Sequence, residues 1–161
     1  MAEKLQFKLT GFAELGKTLR NLDEKSRTKI GNAAAGGAAY ILREASRKQA
    51  EENGLFKTGA LIKNIAMARE PARGGLEFSY TVGVRHGTKK QIKQTKAAGS
   101  NVNDPWYWYL HEFGTSKMPK RPFITPSMSS VAVRERMLES MRKIMQRGID
   151  RSLAETVKKA S

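Results

Sequence analysis

Seven consecutive residues, Ala33 to Ala39 (AAAGGAA), carry no side chain larger than a methyl group. They sit inside a stretch that otherwise reads as one long helix, from about Glu24 to about Glu52, with Asp23 placed as its N-cap. At ~1.5 Å per residue such a helix spans roughly 40 Å. Gly36 and Gly37 each cost it about 1 kcal/mol relative to alanine, and a close approach by another element is the usual way to offset that. Tight packing within one subunit is the direct reading. A contact between subunits and a break at the glycine pair are the alternatives.

The surrounding sequence supplies partners for that helix. Residues 4–9 alternate, with Leu5, Phe7 and Leu9 on one side, which predicts a short strand. Phe12, Leu15, Leu19 and Leu22 then follow at helical spacing. Asn53-Gly54 ends the long helix, and Thr58 caps a helical turn that leads into a strand from about Asn64 to Arg69. After the turn residues of Pro71 to Gly75, a second strand places Leu76, Phe78, Tyr80, Val82 and Val84 on one face, so the two strands form a hairpin. Asp104-Pro105 opens a short aromatic helix, Trp106 to Phe113, which Gly114 closes. Residues 114–128 read as an extended arm stiffened by Pro119, Pro122 and Pro126, and residues 129–158 as a C-terminal helix with Val133, Met137, Met141, Ile144, Met145, Ile149 and Leu153 near one face. The expected fold is a single α+β domain over residues 1–161, a small antiparallel β-sheet packed against two long α-helices.

Charge narrows the function. Thirty Lys and Arg against fifteen Asp and Glu give a net charge of +15, which attracts phosphate and acidic protein surfaces alike. The basic residues of the long helices alternate with glutamate. Only residues 85–103 form a block of one sign, with Arg85, Lys89, Lys90, Lys93 and Lys96 in a flexible surface loop that faces DNA or an acidic partner. No helix-turn-helix or aromatic strand platform accompanies the charge, so sequence-specific DNA recognition is not expected. Without cysteine there is no disulfide framework and no thiol nucleophile. His86 and His111 lack neighbours at metal-ligand spacing, and no nucleophile elbow, P-loop or dinucleotide fingerprint is present. The expectation is no enzyme, no catalytic residue, no cofactor and no metal. No run of apolar residues is long enough for a membrane span, and the first residues, MAEKLQFKLTG, lack the apolar core of a secretory signal.

The most specific segment is Tyr107 to Met128 (YWYLHEFGTSKMPKRPFITPSM). It resembles the hallmark of tailed-phage head–tail joining proteins, the neck, tail-completion or minor tail components. The matching residues are Tyr109, Glu112-Phe113-Gly114-Thr115, Lys117-Met118-Pro119, and Pro122-Phe123 with Pro126; upstream, Thr58, Gly59, Leu61 and Ile65 and the Val82-Gly83-Val84 strand end fit the same order. The basic stretch 85–103 is longer than the family's connection, and the Trp106 and Trp108 pair is richer in aromatics.

That resemblance implies a structural virion protein, assembled in the host cytoplasm and placed in the neck or tail. It would form a homo-oligomeric ring, sixfold by preference. Its neighbours would be connector or head-closure proteins and tail-terminator or tail-tube proteins, with non-specific contact to packaged DNA and none to membrane. Tyr109, Glu112, Phe113, Gly114, Thr115, Pro122, Phe123 and Pro126 are then the interface candidates. Phe123 anchors the arm on its own subunit or on a neighbour, and Glu112 pairs with a surface lysine or arginine. The alternative function is a non-specific DNA-binding protein that uses the same basic surface.

Overall fold

Asp23 starts the first long helix by accepting the Ser26 N–H at 2.9 Å, the side-chain cap that frees one backbone donor from needing water. In the computed structural model, which describes residues 17, 21–55, 59–71, 77–86 and 105–160, this helix, α1, runs Glu24–Glu52 without interruption through the glycine pair. Gly54 takes a φ of +71° just past its end, and Leu55 N–H returns to Ala50 O at 2.9 Å. That left-handed turn directs the buried Leu55 back under the helix. A short helix α2, Ala60–Asn64, follows, then strand β1, Ile65–Arg69, and strand β2, Tyr80–Val84. Helices α3, Trp108–Phe113, α4, Ile124–Ser129, and α5, Val131–Ala160, complete the order.

The strands form the expected antiparallel hairpin, with Ile65 opposite Val84, Met67 opposite Val82 and Arg69 opposite Tyr80. Paired strand begins at Tyr80, and one further ladder bond joins Glu70 N–H to Ser79 O at 2.9 Å. Ile65 and Val82 are buried, and Met67, Tyr80 and Val84 pack beside them, so the predicted inward face of β2 is correct for its described residues. The sheet lies against α1.

The small-residue run of α1 is a packing seam inside one chain. A Cβ built on Gly37 would strike Ile144 of α5 and come within 3.2 Å of Ser140 Oγ; one on Gly36 would lie 3.2 Å from the Tyr80 hydroxyl. Gly31 seats the ring of Phe78 where its own side chain would be, and Gly148 of α5 admits Ile30, whose Cγ1 would be 2.7 Å from an added Cβ. Ile30 meets Gly148, and seven residues later Gly37 meets Ile144 and Ser140, so α1 and α5 run antiparallel. The glycines lower helix propensity and permit this approach, which buries apolar surface at roughly 25 cal/mol per Å². Two clusters result. One joins Leu42, Leu61, Ile65, Trp108, Phe123, Ile124 and Met137; the other joins Ile30, Ala34, Met145 and Ile149, with Leu22 packed against it.

Two expectations need correction, the arm and the start of the aromatic helix, and the open choice for Phe123 falls to its own chain. Residues 114–128 are not an extended arm: a tight turn at Thr115–Met118 is followed by helix α4. Phe123 is 0% exposed within its own chain, because α4 carries it and Ile124 into the core under α1. The aromatic helix starts at Trp108, two residues late, since Pro105 first makes a turn, with Trp108 N–H on Pro105 O at 3.0 Å. The strand over residues 4–9, the helix from Phe12, Thr58, Leu76, residues 87–103 of the basic loop and Asp104 lie outside the described residues; Gly59, at φ +66°, occupies the cap position of α2.

Phe123→Ala is expected to cost the isolated chain about 3–5 kcal/mol, read as a fall in the urea midpoint. A residue that anchored only on a neighbouring subunit would leave that midpoint unchanged.

Candidate docking site

Helix α3 sorts its residues sharply. Trp108 and Glu112, four apart, are buried at 8% and 3% exposure, whereas Tyr109 and Phe113, also four apart, keep 46% and 47%, and Trp106, in the turn just before the helix, keeps 53%. The exposed side is an aromatic patch. The buried side is what holds it still.

Glu112 is the key to that hold. Its Oε2 accepts from Phe123 N–H at 2.8 Å and Ile124 N–H at 3.1 Å, and its Oε1 accepts from Thr125 N–H at 2.7 Å. These are the first three backbone donors of α4. The fourth position is Pro126, which has no N–H. All four positions that a helix start leaves without intrahelical partners are therefore accounted for, three by the carboxylate and one by proline. A buried carboxylate is costly unless hydrogen-bonded, and here three charge-assisted bonds and the positive end of the helix satisfy it. The expected partner, a surface lysine or arginine, is replaced by main chain.

The loop between is equally constrained. Gly114 lies at φ +75°, ψ 179°, a region essentially closed to side chains, and a Cβ there would be 3.0 Å from Lys120 N and 3.2 Å from Met118 O. Thr115 and Met118 exchange backbone hydrogen bonds, and Thr115 Oγ1 accepts from Met118 N–H at 3.0 Å. Arg121 N–H donates to His111 O at 2.7 Å, and Asn53 Nδ2 reaches from the end of α1 to Pro122 O at 2.7 Å. His111 sits edge-on to the Tyr107 ring, with centroids 5.7 Å apart. Desolvation, and secondly the charge of Arg121, hold its imidazole below its ordinary pKa.

The proposed interface residues thus divide. Glu112, Gly114, Thr115 and Phe123 hold the loop and α4 together; Pro122 and Pro126 are half-buried beside them. Tyr109 and Phe113 face outward, joined by Trp106, which lies exposed in the turn before α3 and so falls outside a helical-spacing rule. Arg85 is exposed at the end of β2, and Lys89, Lys90, Lys93 and Lys96 lie outside the described residues. Among the described residues no cluster of His, Asp or Glu could hold a metal ion, and no helix is long and apolar enough to cross a membrane. Set against known proteins, the chain matches no protein-family model, no curated protein and no solved structure.

Glu112→Gln replaces one acceptor by a donor that faces backbone N–H groups, and is expected to destabilise the fold by about 2–3 kcal/mol in urea titration. Gly114→Ala should cost about 1–3 kcal/mol by the same measurement.

Because the folded His111 pKa is depressed, the unfolded chain binds the proton more readily. Its contribution to stability is present above its ordinary value of 6.5 and is lost as pH falls below it. From about pH 8 to about pH 5 the thermal midpoint of the parent should therefore fall further than that of His111→Leu; equal falls would remove His111 from the account.

Proposed function

We propose that this chain is a structural subunit that docks on other protein surfaces, as one member of a ring completing the junction between a phage capsid connector and its tail. The observation that carries the docking part is the outward side of α3. Tyr109 and Phe113 lie about half exposed on a helix whose opposite side is fixed by Glu112 and Trp108, with Trp106 half exposed in the turn that precedes it. Aromatic side chains on a rigid base are the usual anchors of protein interfaces, because they bring large apolar area at little loss of rotamer freedom. The phage assignment rests on the resemblance of Tyr107 to Met128, where the Glu-Phe-Gly-Thr and Pro-Phe-x-x-Pro groups form one capping unit.

The role requires no chemistry. Assembly consists of burying the aromatic anchors against a neighbour, with the net charge of +15 speeding encounter with an acidic partner. Identical subunits joined head to tail close into a ring when the rotation between them allows it, and the resemblance favours six.

Mass spectrometry of density-purified virions, with immunogold labelling, tests the reading. A low-copy signal at the head–tail junction is the expected result; absence from intact particles retires it. The double variant Tyr109→Ser with Phe113→Ser should fold with an unchanged thermal midpoint and yield separate heads and tails. Normal joining by that variant would remove the α3 surface from the mechanism.

A further inference from the structure

The cations of α5 alternate with acids along the sequence, but the helix sorts them in space. Arg136, Lys143, Arg147, Arg151 and Lys158 are all exposed. They follow one another by steps of seven and four residues, which keeps them within an arc of roughly 80° at 3.6 residues per turn, over ~33 Å of helix. The acids of α5 fall outside this arc. Glu139 stands at its rim and pairs with Lys143 at 2.6 Å, and Asp150, also at the rim, accepts from Gln146 Nε2 at 2.9 Å. Among the described residues no carboxylate lies within salt-bridge distance of Arg136, Arg147, Arg151 or Lys158.

We infer that this stripe is a contact surface for the phosphate backbone of duplex DNA. The absence of large exposed apolar side chains from the arc decides between the two classes of polyanion. A protein interface needs an apolar centre, yet the large exposed aliphatics of α5, Val131 at 68%, Leu153 at 49% and Val157 at 65%, all lie outside the arc, and the one exposed apolar residue within it is the small Ala154. Phosphate contact needs none, since its affinity comes from release of counterions. Three of the five cations are arginines, whose planar fork matches phosphate oxygens. The stripe is straight, and ~33 Å corresponds to about ten base pairs. Its outer edge is level with the seam: Ser140, in the same arc, lies against Gly37, and next to Gly37 on α1 stand the exposed Ala33 and, one turn further, Lys29. The contact has no base-reading element and carries no sequence preference. This surface goes beyond the ring reading and does not require it.

The test is fluorescence anisotropy of a labelled duplex of about 20 base pairs from about 50 to 200 mM salt. The parent chain should bind with a steep negative slope of log K against log salt. The triple variant Arg136→Gln, Arg147→Gln, Arg151→Gln should bind at least ~10-fold more weakly at the low-salt end, with the slope smaller by about 2–3, near 0.9 per lost phosphate contact. The corresponding Arg→Lys triple keeps the slope, and each single Arg→Gln lowers it by about one, so an effect of unfolding is separated from an effect of charge. No duplex binding by the parent overturns the proposal. So does an unchanged slope in the Gln triple, a slope lost only when Lys89, Lys90, Lys93 and Lys96 become glutamine, or tighter binding to polyglutamate than to duplex at equal salt. A chain that binds duplex and is absent from virions sinks the ring reading alone; a virion component blind to duplex sinks this one alone.

Discussion

One carboxylate sets the geometry of the chain's second half. Glu112 projects from α3 and takes the N–H groups of Phe123, Ile124 and Thr125, so a single side chain fixes the distance between two helices and the start of the second. Everything between must fit that closure. Gly114 reverses the chain where only glycine can, Thr115 closes the turn, and Pro126 removes the donor the carboxylate cannot reach. Once α4 is held in this way, Phe123 and Ile124 have one direction to go, into the cluster under Leu42 and Met137. The same closure points Tyr109 and Phe113 away from the core. The stability of the buried side and the exposure of the aromatic side therefore have one cause.

The second constraint is the seam between the long helices. Gly37 and Gly148 are poor helix formers, and each is placed where the partner helix sends a β-branched side chain, Ile144 in one case and Ile30 in the other. The two contacts are reciprocal and separate, so the helices are pinned at two points rather than left free to slide. Gly31 and Gly36 do the same for the aromatic residues Phe78 and Tyr80 that reach α1 from the sheet side. Local propensity and global packing conflict at these four positions, and packing wins because close approach adds dispersion contacts along the length of both helices.

Much of this was legible in residue order. The start of α1 at Asp23 followed from cap chemistry, its end from Asn53-Gly54, the inward face of β2 from period-two alternation, and the Gly114 stop from its place after an aromatic helical run. These are local rules with local causes. What residue order did not disclose depended on contacts between distant residues. Three prolines near one another suggest an extended arm, but Pro126 sits in the first turn of α4, where a proline is tolerated, and Glu112, from fourteen residues upstream, supplies the caps that make so short a helix hold. Phe123 could be read as an anchor, but not for which surface. The stripe on α5 was hidden for a different reason: cations and acids mix along the sequence, and five of the cations gather on one side only when wound at 3.6 residues per turn.

On the ring reading, a chain with this charge faces a problem in joining copies of itself. At +15 each, like subunits repel, and salt screens that repulsion only beyond a Debye length of about 8 Å, which leaves it largely intact at a closed interface. An aromatic patch of three side chains gives contact energy but no charge compensation. On the proposed reading the two surfaces are then complementary in function. Polyanion along α5 neutralises the subunits and removes the penalty, after which the α3 anchors have enough attraction to close a ring. On that reading, self-association becomes conditional on the duplex being present. That condition would keep free subunits apart in solution and confine assembly to the place where the polyanion emerges, without any moving part in the fold.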